Sequence, residues 1–322
     1  MPSASGERCA SLLLLVGLLP AFALGCSPSG DARPAPADTL VVFEAASLAV
    51  PMRAALDTFA RRSGAVVNEE HGASLELARR VTELQRIPDV IALADYEVFP
   101  ELLVPRATPW FATFARNRMV IAYTDRSRHA AEMTGETWRA VLQRPDVAVG
   151  RADPMLAPAG YRALLTFVLA ESHYRDKGLA RRLEARTPPA HMRGNAAELA
   201  ALLSAGELDY IVEYESLARA QKFRFITLPP EIDLGDQRYA SAYAAASVPV
   251  WNGKDSVTRR GTPILYGISI PRAARHPGAA IRFVRFLLGE EGRALLRRGS
   301  VDALETPTVV GDSAPGLLPG KR

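Results

Sequence analysis

The sequence predicts an α/β fold built on mostly parallel sheets, and three observations predict it. Short apolar runs of strand type alternate with segments of helical periodicity, and the connections between them are short. Roughly 265 residues of ordinary globular composition, enough for one large or two medium domains, lie between two ends rich in proline, glycine and small residues. The alternation contains no internal repeat.

The elements follow in order. Residues 40–43 form an apolar strand run, and Pro51 opens a helix in which Met52, Leu56, Phe59 and Ala60 recur at helical spacing. Residues 65–68 make a second strand, Ser74 leads into a helix over 75–84, and residues 89–93 make a third strand. Strands at 119–123 and 147–150 flank a helix at 137–142, and Pro158 opens a long helix through Leu169. A helix at 196–203 and strands at 210–214 and 225–228 come next. A strand at 264–270 and helical segments at 279–288 and 294–296 close the pattern.

The N-terminal end reads as an address. A polar start with Arg8, an apolar run broken by Pro20, and Ala23-Leu24-Gly25-Cys26 match a lipoprotein signal over residues 1–25, with Cys26 becoming the lipidated N-terminus. The run is too short to span a bilayer, which takes roughly 20 apolar residues. Cys9 and Cys26 are the only cysteines, so the mature chain has no pair for a disulfide or a metal. Residues 26–38 make a flexible tether, and residues 306–322 read as a flexible tail. The formal net charge of +4 is small and dispersed, with no basic run interleaved with aromatics, which argues against nucleic acid as a partner.

Candidate binding residues stand just past strand ends. Ser47 and Ser74 each precede or open a helix, where ligands of open α/β sheets collect and where unpaired N–H groups attract anions. Two readings fit: the serines cap their helices, or they hold an anion. His71, with Glu69 and Glu70 nearby, could serve Ser47 or Ser74 as a base in a hydrolase, although no Gly-x-Ser-x-Gly elbow exists. His129, His173, His191 and His276 lack metal-ligand spacing. Glu213 and Tyr214 are neighbours on a strand; if Tyr214 faces a ligand, Glu213 faces away, towards an arginine such as Arg162 or Arg193.

Several stretches together resemble the molybdate/tungstate-binding proteins of ABC importers. They are Phe43-Glu-Ala-Ala-Ser-Leu48, the run from Ala73 to Leu84, Asp89 to Tyr96, Phe114 to Tyr123, Asp153-Pro154 with Pro158-Ala-Gly-Tyr-Arg162, Gly206 to Tyr214, and Leu228 to Leu234. The order is collinear from Leu40 to about Gly299. The resemblance implies a two-lobed periplasmic-binding-protein fold of type II, with the ligand cleft between the lobes. Lobe 1 would comprise residues 39–121 and 262–305, and lobe 2 residues 122–261. It also implies a non-enzymatic monomer without cofactors, anchored outside the cytoplasm through Cys26, that delivers a small oxyanion to an importer permease.

The oxyanion contacts implied by the resemblance fall on Ala46 and Ser47, Ser74, Ala157, Pro158, Ala159 and Tyr214. Relatives of the tungstate-type branch carry an aspartate before the proline of Pro-x-Gly-Tyr-Arg, where this chain has Ala157. They carry a second carboxylate at a position that spacing to Tyr214 assigns to Ala196, unless the shorter 184–195 segment displaces it. Loss of both carboxylates implies binding by hydrogen bonds alone, with weaker discrimination against sulfate. Other oxyanions, organic anions, or a sensory lipoprotein that has lost its ligand are the alternatives.

Overall fold

The computed structural model describes residues 39–251 and 254–312. The signal at 1–25, Cys26, the tether at 26–38 and residues 313–322 lie outside the described residues. Among those described, no helix is long and apolar enough to cross a membrane.

The chain begins with β1 (Thr39–Ala45), α1 (Ala49–Ser63), β2 (Val66–Gly72), α2 (Ser74–Thr82), β3 (Val90–Leu93) and β4 (Trp110–Arg116). It continues with β5 (Met119–Tyr123), α3 (Trp138–Leu142), β6 (Val149–Ala152), α4 (Pro158–Tyr174), α5 (Leu179–Ala185), β7 (Met192–Arg193), α6 (Ala196–Ala205) and β8 (Tyr210–Tyr214). Then come α7 (Glu215–Ala220), β9 (Arg224–Thr227), α8 (Ala240–Tyr243), and the hairpin of β10 (Ser247–Trp251) and β11 (Ser256–Arg260). The return segment holds β12 (Leu265–Ser269), α9 (Pro277–Leu288), α10 (Glu290–Arg298) and β13 (Asp302–Gly311).

These strands form two mixed sheets, each with most strands pointing one way. The first has the order β13-β4-β12-β3-β1-β2 and the second β7-β6-β8-β5-β9. In the first, β1 pairs parallel with β2 and β3; in the second, β6 pairs parallel with β7 and β8. This is the two-lobed α/β architecture that the sequence predicts. Each sheet is covered by helices because its parallel strands are apolar on both faces, as the fully buried β3 and β8 show.

Two boundaries differ from expectation and one agrees. The chain leaves the first sheet at Asn117–Arg118, so all of β5 belongs to the second lobe and the boundary after residue 121 falls too late. It comes back through residues 261–264 into β12, where Ile264 N–H bonds to the Leu234 carbonyl. Residues 306–311 are not a loose tail but the outer half of β13, paired antiparallel with β4. Proline obscured this strand in the sequence. Pro307 sits where the register shifts between Ala303 and Thr308, on an edge strand that tolerates a missing N–H. Strands β4, β10 and β11 are also absent from the expected elements; β4 is buried along six of its seven residues.

Candidate ligand-binding site

Every binding element arises where a parallel strand ends. The turn at Ala46–Leu48 follows β1, Ser74 opens α2 after β2, and Ala94 follows β3. From the second lobe, the loop after β6 leads to Ala157 and α4, α6 starts after β7, and Tyr214 closes β8. This is the carboxyl-end crevice of open α/β sheets, supplied here by two sheets facing each other.

All eight sequence-derived positions line one cavity: Ala46, Ser47, Ser74, Ala157, Pro158, Ala159, Ala196 and Tyr214. Ala45, Gly72, Ala73, Ala94, Asn195 and Glu213 complete its wall. The cavity is small, with a volume of about 20 Å³. A larger cavity of about 970 Å³ lies at the hinge, but its arginines are engaged with acids: Arg116 with Asp302, Arg118 and Arg219 with Glu215, Arg238 with Asp236, and Arg297 with Glu305 beyond the wall.

The hydroxyls are set by their protein partners. Ser74 Oγ accepts from the Ala94 N–H at 3.0 Å, Tyr214 Oη accepts from Arg162 Nη1 at 2.8 Å, and Ser47 Oγ accepts from Tyr266 at a long 3.5 Å. Tyr266 is held in turn by Asn117 Nδ2 at 2.6 Å. A hydroxyl has one proton, so each that already accepts a protein bond is free to donate its own. Neither serine acts as a helix cap: α1 and α2 begin without a side-chain cap, as does α4. Asn195, by contrast, caps α6 by accepting from Glu198 N–H. The uncapped starts of α2 and α4 lie at the cavity wall, where N–H groups of a first turn lack helical partners.

The Pro-x-Gly-Tyr-Arg segment shows why its residues are needed. Pro158 occupies the first helical turn, where a missing N–H costs nothing. At Gly160 an added Cβ would lie 2.5 Å from the Ala152 carbonyl oxygen and the Pro154 nitrogen, so glycine allows α4 to press against the loop after β6. Tyr161 donates to Asp95 Oδ2, and Arg162 reaches across to lobe 1. Its Nη2 meets Asp95 Oδ1 at 2.9 Å and its Nη1 donates to the Ala94 carbonyl at 2.9 Å, with both charged side chains only 1% exposed. Burial opposes the Arg162 charge, but Asp95 and the phenols outweigh it and its pKa is raised. A second tie between lobes joins Arg259 of the β10–β11 hairpin to Glu101.

Two expectations about neighbouring acids need correction. Glu213 does not face away towards Arg162 or Arg193. Arg162 pairs with Asp95, Arg193 donates to the Ala190 and Met192 carbonyls, and Glu213 lines the cavity. Strand alternation fails here because β8 ends at the next residue: Glu213 Oε1 folds back to accept from the Tyr214 N–H at 2.9 Å. His71 is bonded to Glu44 Oε1 at 2.8 Å and lies 3.4 Å from Glu69 Oε2, whereas the Ser74 hydroxyl is bonded to Ala94. Glu44, Glu69 and His71 are the one grouping among the described residues able to hold a cation, and Arg53 already occupies Glu69 Oε1 at 2.9 Å. Asp95 and Arg162 were readable only as parts of quoted motifs, because nothing local shows that they meet.

Two facing α/β lobes with a small cavity at their strand ends are the architecture of a solute-binding protein. The family comparison agrees: the chain matches the model for bacterial extracellular solute-binding proteins over residues 40–299, and it belongs to that family, which is non-enzymatic. It is 39% identical over 284 residues to an uncharacterised solute-binding protein of Petrotoga mobilis, covering 87% of this chain and 88% of the relative. It is 33% identical over 331 residues to the molybdate/tungstate-binding protein WtpA of Thermococcus kodakarensis, covering 94% and 93%. Among solved structures, the periplasmic molybdate-binding protein of Azotobacter vinelandii matches with a TM-score of 0.58 at 14% identity, over 81% of this chain and 98% of that one. The sulfate-binding protein SubI of Mycobacterium tuberculosis also gives 0.58, at 15% identity over 82% and 86%. Those two likenesses establish the periplasmic-binding-protein type II fold.

Proposed function

We propose that this protein captures molybdate or tungstate by hydrogen bonds alone and delivers it to the permease of an ABC importer, held at the membrane by a lipid on Cys26. The observation that carries the reading is the proton arrangement: Ser47, Ser74 and Tyr214 each accept a bond from the protein and so turn a donor into one small cavity. A ligand met by donors on several sides must be rich in acceptors and carry no proton of its own there, as a fully ionised oxyanion does. The WtpA relative supports molybdate and tungstate as the ions. Ala157 and Ala196 both face the cavity, so neither position supplies a carboxylate to the metal atom of the ligand.

Thermal unfolding with molybdate, tungstate, sulfate and phosphate tests this. An ion at 100 times its dissociation constant adds about 2.7 kcal/mol. Stabilisation by molybdate and tungstate is expected, with sulfate close behind because no carboxylate singles out the heavier metals. No stabilisation by any of the four would refute the reading.

A further inference from the structure

One acid in the cavity wall has no role among these donors. Glu213 is fully buried, and its Oε2 has no hydrogen-bond partner. The groups around it give it no compensating charge. On its own strand Tyr214 is a phenol, and from β12 Tyr266 is another; burial raises both pKa values, so both stay neutral. From α4, Arg162 is committed to Asp95, Ala94 and Tyr214. Opposite on β5 stands Val120, and on β6 Arg151 lies beside Val212 with its guanidinium on Thr187. Burial, opposed only by the Tyr214 N–H, pushes the Glu213 carboxyl up to about 7.

An ionised carboxylate next to a bound dianion would add a close repulsion in a dry cavity. We propose that Glu213 and the bound oxyanion share a single proton, so that a fully ionised oxyanion binds together with a proton that Glu213 Oε2 donates to it. This rests on the oxyanion reading of the cavity and adds the condition under which that site fills. The balance is simple: carboxylate, proton and dianion combine into a carboxylic acid hydrogen-bonded to the dianion. Hydrogenphosphate reaches the same state without a proton from solvent, because its own hydroxyl donates to the ionised carboxylate.

Calorimetric titration of the protein with sodium molybdate from pH about 6 to about 9, in two buffers of different ionisation enthalpy, reads the proton directly. Uptake should approach one proton per ligand at the alkaline end, and Kd should rise up to about tenfold per pH unit above about 7. Glu213→Gln should abolish both effects, and titration with phosphate should show little uptake. Molybdate binding without proton uptake overturns the proposal while leaving the oxyanion reading intact. So does affinity that rises with pH, as direct coordination of the metal atom by an ionised Glu213 requires. Failure of molybdate, tungstate and sulfate to bind at any pH overturns both. The uptake is measured on the unaltered protein, so the answer stands whether or not the variant folds.

Discussion

Removing the Asp95 carboxylate should cripple ligand binding while leaving the fold nearly as stable as before. Asp95 follows β3 in lobe 1 and Arg162 lies on α4 in lobe 2, and their 2.9 Å pair is buried only because the lobes meet. When a hinged protein opens, both charged groups return to water, so Asp95→Ala there loses only the Glu97 N–H bond to Asp95 Oδ1 at 3.0 Å within lobe 1. On closure the variant buries an unpaired guanidinium, and breaking such a pair from one side costs about 3–5 kcal/mol. Ligand affinity includes the free energy of closure, so Kd should rise by roughly two to three and a half orders of magnitude. Calorimetry with molybdate gives Kd, urea unfolding without ligand gives stability, and small-angle scattering shows whether ligand still compacts the molecule. A change in Kd of less than about fivefold would refute the latch, since water or Tyr161 would then be compensating. A loss of several kcal/mol in ligand-free stability would show instead that the pair holds the fold and not the closure.

The other predictions concern single contacts. Tyr214→Phe removes a donor to the ligand and leaves an Arg162 N–H without its acceptor, so affinity should fall by about 1.5–3 kcal/mol, measured by calorimetry. Ser74→Ala should cost a similar amount, because the Ala94 N–H loses its partner as well. Installing Ala157→Asp with Ala196→Glu should weaken sulfate binding more than tungstate binding, seen as a widened gap in ligand-induced melting shifts. His71→Ala should destabilise the protein by about 2 kcal/mol below neutral pH, because buried Glu44 loses its His71 hydrogen bond. The Glu44 hydrogen bond raises the His71 pKa, against opposition from its own burial. A raised His pKa stabilises the fold fully below about 6.5 and is lost as pH rises through the higher folded value, so urea midpoints of parent and variant should converge in alkali.

The sequence made the scaffold of the site legible, and the reason is local. Each binding residue sits at a strand-to-helix junction, and such junctions carry their own signals: an apolar run, a small residue, then helical periodicity. That is why Ser47, Ser74, Pro158 and Ala196 could be placed on element ends from residues and resemblance together. What stayed hidden depends on distance along the chain. Nothing near Arg162 says that Asp95, sixty-seven positions earlier, is its partner. Nothing near Glu213 says that its strand stops one residue later and lets the side chain fold back. Strand β13 was concealed for a third reason: an edge strand with a bulge can hold Pro307, and its composition then resembles a frayed end.

The partners of the three hydroxyls divide cleanly by lobe. Ser47 leans on Tyr266 and Ser74 on Ala94, all in lobe 1, whereas Tyr214 leans on Arg162, both in lobe 2. Separating the lobes therefore parts the ligand's donors without disturbing the bond that aims any of them. Each jaw stays cocked. On the proposed reading, an anion lands on Ser47 and Ser74 of an open molecule and is gripped when Tyr214 swings in. On the same reading, a permease that prises the jaws apart works against the Asp95–Arg162 and Glu101–Arg259 pairs and the ion itself. After release, the bonds of Arg162 to Asp95 and the Ala94 carbonyl are what the next closure must re-form.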